Sequence, residues 1–299
     1  MFLSYAQRLE DHHLALAFAE EAPGFYIDVG GGHPVADNVT FALYLAGWRG
    51  LVVEPQAALA AATRLARPRD IVIEDLVGRE AGEAVFHAVV GLHGFSTMLE
   101  GRAAAMKAGG AETAPQTKPV TTLARLVADE GIARIDLLKI DVEGAEADVL
   151  AGHDWRVRPR LIVAEAVEPG SMAPAWQAFE PDLLARGYGM RLYDGLNRFY
   201  VAEEERDLAA RLPAEPAAWD AALHLWDFGR AHERVDHPDH ALARALARGL
   251  LAGATGLRPD ELVRLTRAGG WSGDADAETL RPALARIASG YDGGQLFDD

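Results

Sequence analysis

The chain has 299 residues, enough for one large or two average domains, and its 49% hydrophobic and 25% charged residues are the composition of a globular protein. Its 45 acidic against 29 basic residues give a formal charge of -16, which argues against nucleic acid as a partner. The absence of cysteine excludes disulfides, thiolate metal sites, iron–sulfur clusters and cysteine nucleophiles, so only histidine and carboxylate remain as metal ligands.

No apolar run is long enough to span a bilayer, and the opening residues carry Arg8, Glu10, Asp11, His12 and His13. Neither a transmembrane segment nor a signal peptide is expected, and a cytoplasmic protein is. Residues 4–20 place Leu9, His13, Leu16 and Ala17 on one helical face with Ser4 as a possible cap, which predicts an opening helix ended by Pro23 and Gly24. Phe25 to Val29 reads as a strand running into Gly30, Gly31 and Gly32. A helix over 35–45, a strand over 51–54, a helix over 57–66 and a strand over 70–73 follow.

Beyond a less regular middle, residues 84–90 read as an extra strand and 120–130 as a helix. Residues 135–140, 161–164, 190–193 and 199–202 supply further strands. Alternating strands and helices demand a mostly parallel sheet covered on both faces. The short link from Asp194 to Asn197 instead allows an antiparallel hairpin. After Ala202 the chain is rich in Ala, Leu and Arg, is punctuated by Pro213, Pro216, Pro238, Pro259 and Pro282, and reads as four or five helices with a polar tail over 292–299. Two regions are therefore expected, 1–202 and a helical region over 203–299.

Asp28 stands at the carboxyl end of the first main strand, two positions before Gly30. Glycines at such a turn let backbone approach a ligand closely, and the carboxylate suits a ligand ammonium or sulfonium. Glu54 closes the second strand, where an acid can accept from both ribose hydroxyls of a nucleoside cofactor. The third glycine of the dinucleotide pattern is missing, since position 35 is Val. Lys139, Asp141 and Glu143 alternate with Ile140 and Val142, so they share one side at the end of the fourth strand. The same residues also suit a solvated strand end.

Ser4 to Gln7 with Glu10 and Asp11, the block from Asp28 to Val35, Asp37 to Thr40, Gly47 to Pro55, Ser96-Thr97, Lys139 to Glu146 and Asp194 to Ala202 occur in one order and spacing. In these stretches the chain resembles the FkbM family of S-adenosylmethionine-dependent methyltransferases, from about Ser4 to Ala202. Gly31 stands where the family more often has Ala, and His93-Gly94-Phe95 where small residues are usual. The helices after 202 have no counterpart in the minimal family domain.

The resemblance implies a Rossmann-like class I methyltransferase fold, an α/β architecture with a mostly parallel seven-stranded sheet ending in an antiparallel hairpin. It implies S-adenosyl-L-methionine as cofactor, held by Asp28, Gly30, Gly32, Glu54, Asp75 and Asp141, with the N-terminal segment 1–24 covering the pocket through Gln7. Asp141, Glu143, His33 and Lys139 are the catalytic candidates, Glu143 meeting either substrate or a divalent metal. His33-Pro34 equally suits a helix start, and Asp75 a cap or turn.

Glu165, Arg198 and Asn197 are the substrate candidates, although turn chemistry alone accounts for Asp194, Gly195 and Asn197. The implied activity is O-methylation of a hydroxyl on a sugar, glycan or secondary metabolite. Two alternatives stand beside it: an NAD-dependent oxidoreductase, and a noncatalytic module whose C-terminal helices recruit a glycosyltransferase. A homo-oligomer through those helices is also compatible.

Overall fold

The computed structural model describes residues 2–89, 113–168, 171–229, 231–254, 256–268, 271, 273 and 276–288. The chain divides into two compact units, Met1–Leu225 and Trp226–Asp299. Among the described residues the first holds twelve strands: β1 (Leu3–Ser4), β2 (Phe25–Val29), β3 (Arg49–Val53), β4 (Ile71–Ile73), β5 (Leu76–Val77), β6 (Gly82–Val89), β7 (Thr113–Thr121), β8 (Ile135–Ile140), β9 (Pro159–Glu165), β10 (Tyr188–Tyr193), β11 (Asn197–Ala202) and β12 (Leu223–His224). Its helices are α1 (Glu10–Ala17), α2 (Phe41–Leu45), α3 (Ala57–Ala66), α4 (Leu123–Asp129), α5 (Glu146–Ala151), α6 (Glu180–Ala185) and α7 (Arg206–Arg211).

The main sheet has seven strands in the order β4-β3-β2-β8-β9-β11-β10. β4, β3, β2, β8 and β9 pair in parallel, whereas β11 is antiparallel to both β9 and β10. The sheet is thus mixed, five parallel strands with the antiparallel pair β10 and β11 at one end. β11 inserts beside β9, and the earlier strand β10 takes the edge. The position of β11 follows from its pairing, Tyr200 standing opposite Ile162 of β9 and Met190 of β10.

Strand residues alternate between two apolar cores. Ile27, Val29, Leu138, Ile140, Ile162 and Tyr200 face one, and Tyr26, Val52, Leu137, Leu161, Val163 and Phe199 face the other. The direction of strand succession reverses between β2 and β8. A parallel sheet opens a ligand crevice at the carboxyl ends of its strands at that point.

Several local expectations change. The opening helix begins only at Glu10, because the Asp11 carboxylate accepts from Ser4 Oγ and Tyr5 N and folds residues 4–8 into a turn, with Leu9 left-handed at φ 63°. Leu16 is 42% exposed, so it is off the apolar face. Residues 35–40 are not helical; Asn38 Nδ2 donates to Gly31 O and His33 O, and these bonds compete with a helix.

β6 confirms a strand from 82 to 89, but it belongs to a separate three-stranded sheet ordered β5-β7-β6. β7 replaces the start of the helix expected from 120. Its Pro115 and Pro119 disguise a strand, and among the described residues β5 reaches only Val120 and Thr121 of it. Val90, His93 to Thr97 and the tail 292–299 lie outside the described residues.

Residues beyond Ala202 also pack into the first compact unit, which runs to Leu225. Arg211 donates to Ala17 O and Glu21, Ala217 N donates to His13 Nε2, and β12 pairs in parallel with β1, contrary to the expected absence of strands after 202. The second unit carries α8 (His240–Ala254), α9 (Pro259–Ala268) and α10 (Ala277–Ala288). Among the described residues no helix is long and apolar enough to cross a membrane.

Candidate active site

A cavity of about 490 Å³ opens at the carboxyl ends of β2, β3, β8 and β9. It is lined by Gln7, Gly30, Gly32, His33, Glu54, Asp75, Lys139, Asp141, Glu143 and Glu165, so the fold brings together most of the residues singled out from the sequence. Phe86 of β6, Val77 of β5 and Leu196 of the β10–β11 turn complete its apolar wall. Only Phe86 had a sequence signal, as the aromatic residue of an expected strand.

The glycine turn is built by close packing. Gly30 and Gly32 have φ of 78° and 57°, and a Cβ at Gly30 would lie 1.8 Å from the Asp141 carbonyl oxygen. Gly30 therefore lets the end of β2 lie against the loop after β8. A Cβ at Gly32 would meet no atom within 4 Å, so this backbone fronts open space.

Asp28 is fully buried and is absent from the cavity wall. Direct contact with a ligand cation, as expected from its place in the sequence, is therefore not what the fold provides. Its carboxylate accepts from Thr40 Oγ1 at 2.6 Å and pairs with Lys139 Nζ at 3.2 Å. Lys139 also donates to Gly30 O at 2.5 Å and lies 3.6 Å from Asp141. Burial opposes its charge, yet Asp28 and then Asp141 hold Lys139 above the ordinary lysine range.

Glu54 is buried at the end of β3, where Oε2 accepts from Gly32 N and Oε1 from Gln56 N, each at 2.8 Å. Each oxygen keeps a lone pair for a further donor. Burial pushes this carboxyl up to about 7, against the lowering effect of the two amides. Burial, followed by the charges of Asp141 and Glu143, likewise raises Glu165 well above the carboxylate range.

His33 Nδ1 accepts from Val35 N at 3.2 Å and Ala36 N at 2.9 Å. That arrangement leaves the neutral ring's proton on Nε2, which does not serve a general base. Glu143, at φ 59°, and Gly144, at φ 103°, form the turn after β8, and Glu146 Oε1 clamps it by accepting from Val142 N and Gly144 N.

Two substrate candidates fall outside the cavity wall. Arg198 pairs with Glu180 and lies 3.7 Å over the Trp176 ring, while Asn197 Nδ2 donates to the buried Glu10 at 2.7 Å. Glu10 and Asp11 are themselves buried and tie down the N-terminal turn that presents Gln7. Neither lies on an exposed face of α1.

The sequence reading missed Arg67. Its wholly buried guanidinium donates to Asp70, Asn38, Tyr26 OH and Thr40, and Thr40 in turn holds Asp28. Arg67 follows the last residue of α3, with Arg64 and Arg69 close by in sequence, so nothing in its local pattern set it apart.

The family described as "Methyltransferase FkbM domain" matches residues 28–188, and the chain belongs to that family. It is 47% identical over 57 residues to the methyltransferase sdnD of Sordaria araneosa, covering 18% of this chain and 22% of that protein. It is 37% identical over 99 residues to the 31-O-demethyl-FK506 methyltransferase FkbM of Streptomyces tacrolimicus, covering 32% of this chain and 35% of that protein. The likeness thus spans well under two thirds of either relative. The matching family carries the name of a methyltransferase and not of an NAD-dependent oxidoreductase.

Proposed function

We propose that the chain is an S-adenosyl-L-methionine-dependent O-methyltransferase acting on a hydroxyl of a sugar, glycan or secondary metabolite, with residues 1–225 as the methyltransferase domain. The observation that carries this reading is Glu54: a buried strand-end carboxylate, anchored by two backbone amides, facing the cavity beside an open glycine turn. That combination suits a ribose with two free hydroxyls and backbone lying close to it. The sheet order, with its reversal between β2 and β8, supports a Rossmann-like class I fold. The relative from Streptomyces tacrolimicus, by its name a methyltransferase for 31-O-demethyl-FK506, supports oxygen as the acceptor atom.

A bound donor supplies a methyl group on a sulfonium, whose positive charge disappears as the methyl leaves. Asp141 favours that charge from the cavity wall. Asp28 acts from beneath, by fixing Lys139 and through it the Gly30 carbonyl. Gln7 and Asp75 close the wall around the nucleoside, Asp75 serving its amino group. Glu143 and Glu165 border the acceptor side and receive the hydroxyl, Glu143 standing ready for its proton.

Calorimetric titration of the full chain with S-adenosylhomocysteine and with NAD tests the cofactor. Saturable heat at one S-adenosylhomocysteine per chain and none with NAD is expected; the reverse pattern overturns the proposal. Mass spectrometry of candidate alcohols incubated with the enzyme and donor then tests the acceptor, each true acceptor gaining one methyl group.

A further inference from the structure

Asp141, Glu143 and Glu165 each offer an oxygen within 4.8 Å of the others, where β8 and β9 end at the cavity. Neighbouring acids alone do not make a site. Glu165 adds an independent reason: the residue is only 8% exposed, and its Oε2 is buried with no hydrogen-bond donor among the described residues. Leaving a buried polar group without a partner costs about 1–3 kcal/mol, and more for a charged one. Native folds seldom tolerate that unless something else arrives to satisfy the group.

The lysine and loop amides beside the cluster are committed elsewhere. Lys139 Nζ pairs with Asp28 at 3.2 Å, donates to Gly30 O, and reaches only Asp141 of the three acids, at 3.6 Å. Val142 N and Gly144 N, the amides of the intervening loop, donate to Glu146. With Lys139 shared between Asp28 and Asp141, the mouth of the cavity holds more negative than positive charge.

We propose that Asp141, Glu143 and Glu165 form a binding site for a hard divalent cation of the magnesium or manganese kind. An all-oxygen carboxylate set without sulfur or nitrogen selects for such ions. Two oxygens on an ion at about 2.1 Å from each stand no more than about 4.2 Å apart. Small side-chain rotations therefore close the cluster around it. Three protein oxygens leave positions on a six-coordinate ion for water and for an acceptor oxygen. The part this ion plays in turnover rests on the reading of the cavity as donor and acceptor pocket; its binding does not.

The test is titration of the full-length chain with manganese(II), following the free-ion signal by electron paramagnetic resonance. One manganese per chain, displaced by excess magnesium, is the expected result. Glu165→Gln should weaken it by more than the roughly 10- to 100-fold that loss of an outer-shell partner costs. Asp141→Asn should do the same, and circular dichroism verifies that each variant is folded. If one fails to fold, Glu143→Gln takes its place. An unchanged free-ion signal with the parent chain, or equal binding by parent and folded variants, overturns the site. Titration with S-adenosylhomocysteine in the absence of metal reports on the donor pocket separately, so failure of the cofactor reading is distinguishable from failure of the cation site.

Discussion

The first unit contains two clusters of buried charge that differ in how fully they are paired. Around Arg67, one guanidinium serves Asp70, Asn38, Tyr26 and Thr40, and Asp70 also accepts from Gly50 N. Around Glu165, carboxylates crowd together and a buried oxygen is left without a donor. Both lie within a chain of the same composition, yet one is closed and the other waits for a ligand. Complete pairing marks scaffold, and incomplete pairing at a cavity marks chemistry.

The largest effect should come from opening the closed cluster. Arg67→Met removes a donor from four acceptors and strands the Asp70 charge, so a loss of about 3–5 kcal/mol in unfolding free energy is expected from urea denaturation. Asp70→Asn in the same background should cost less than it does in the parent, because its partner is already gone. An unchanged urea midpoint for Arg67→Met would show that the cluster does not hold the fold.

At the open cluster the same kind of change should spare the fold and reach the reaction. Glu143→Gln should reduce turnover roughly 10²- to 10⁴-fold, whether the carboxylate serves the acceptor's proton or the cation, with S-adenosylhomocysteine affinity close to the parent's. Full turnover in this variant would remove Glu143 from the chemistry and move attention to Glu165.

Glu54 stands between the two cases, anchored like the first cluster and open to the cavity like the second. Glu54→Ala should weaken S-adenosylhomocysteine by about 2–4 kcal/mol in calorimetry, through two ribose hydroxyls left without an acceptor. The two amides it leaves belong to Gly32 and Gln56, both beside the cavity, where water replaces the carboxylate and limits the loss of stability. An unchanged dissociation constant would refute the assignment.

The difference between these clusters also marks what the sequence could reveal. Strand-end acids such as Glu54 and Asp141 were legible because a strand's period and a glycine turn fix where the next side chain points. The long apolar strands were legible for a related reason, since Ile135 to Ile140 are buried on both faces and read as one continuous run. Arg67 was not legible, because its partners at 26, 38, 40 and 70 meet only through tertiary packing. The same holds for Asp28, whose burial beneath Lys139 depends on the register of β2 against β8. Asn197 and Arg198 misled because a turn residue and a strand-end cation look alike in sequence whether they face a cavity or a neighbouring helix.

A smaller effect follows from the pH response of Glu54. Its folded carboxyl, raised from 4.5 to about 7, stays protonated between those values while the unfolded one ionises. The unfolded chain then binds fewer protons, so this group's contribution to stability falls as pH rises from about 4.5 to 7. Asp11, raised by burial to about 6, adds in the same sense, whereas His13, lowered by burial to about 4, acts oppositely. The diagnostic quantity is therefore the difference between parent and Glu54→Gln. If ribose requires the ionised form, S-adenosylhomocysteine affinity should rise roughly tenfold from pH 6 to 8 in the parent and stay flat in Glu54→Gln. Parallel profiles in the two proteins would dissociate Glu54 from cofactor binding.

The smallest effect is expected from the largest deletion. Both clusters, and every residue of the cavity wall, lie between Gln7 and Leu196. Residues 206–224 still belong with them, since Arg211 is bonded to Ala17 and Glu21, and β12 pairs with β1. A chain ending at Leu225 keeps those bonds, while one ending near Glu205 loses them, leaving Glu21 to Arg160 and removing the Arg211 donor from Ala17 O. The longer form should bind S-adenosylhomocysteine with the affinity of the full chain and unfold in one cooperative step. The shorter form should melt at lower temperature, by several degrees for each kcal/mol lost. A Leu225 form that is folded by circular dichroism yet fails to bind would show that residues 226–299 complete the site, and that pairing within the first unit does not by itself separate scaffold from chemistry.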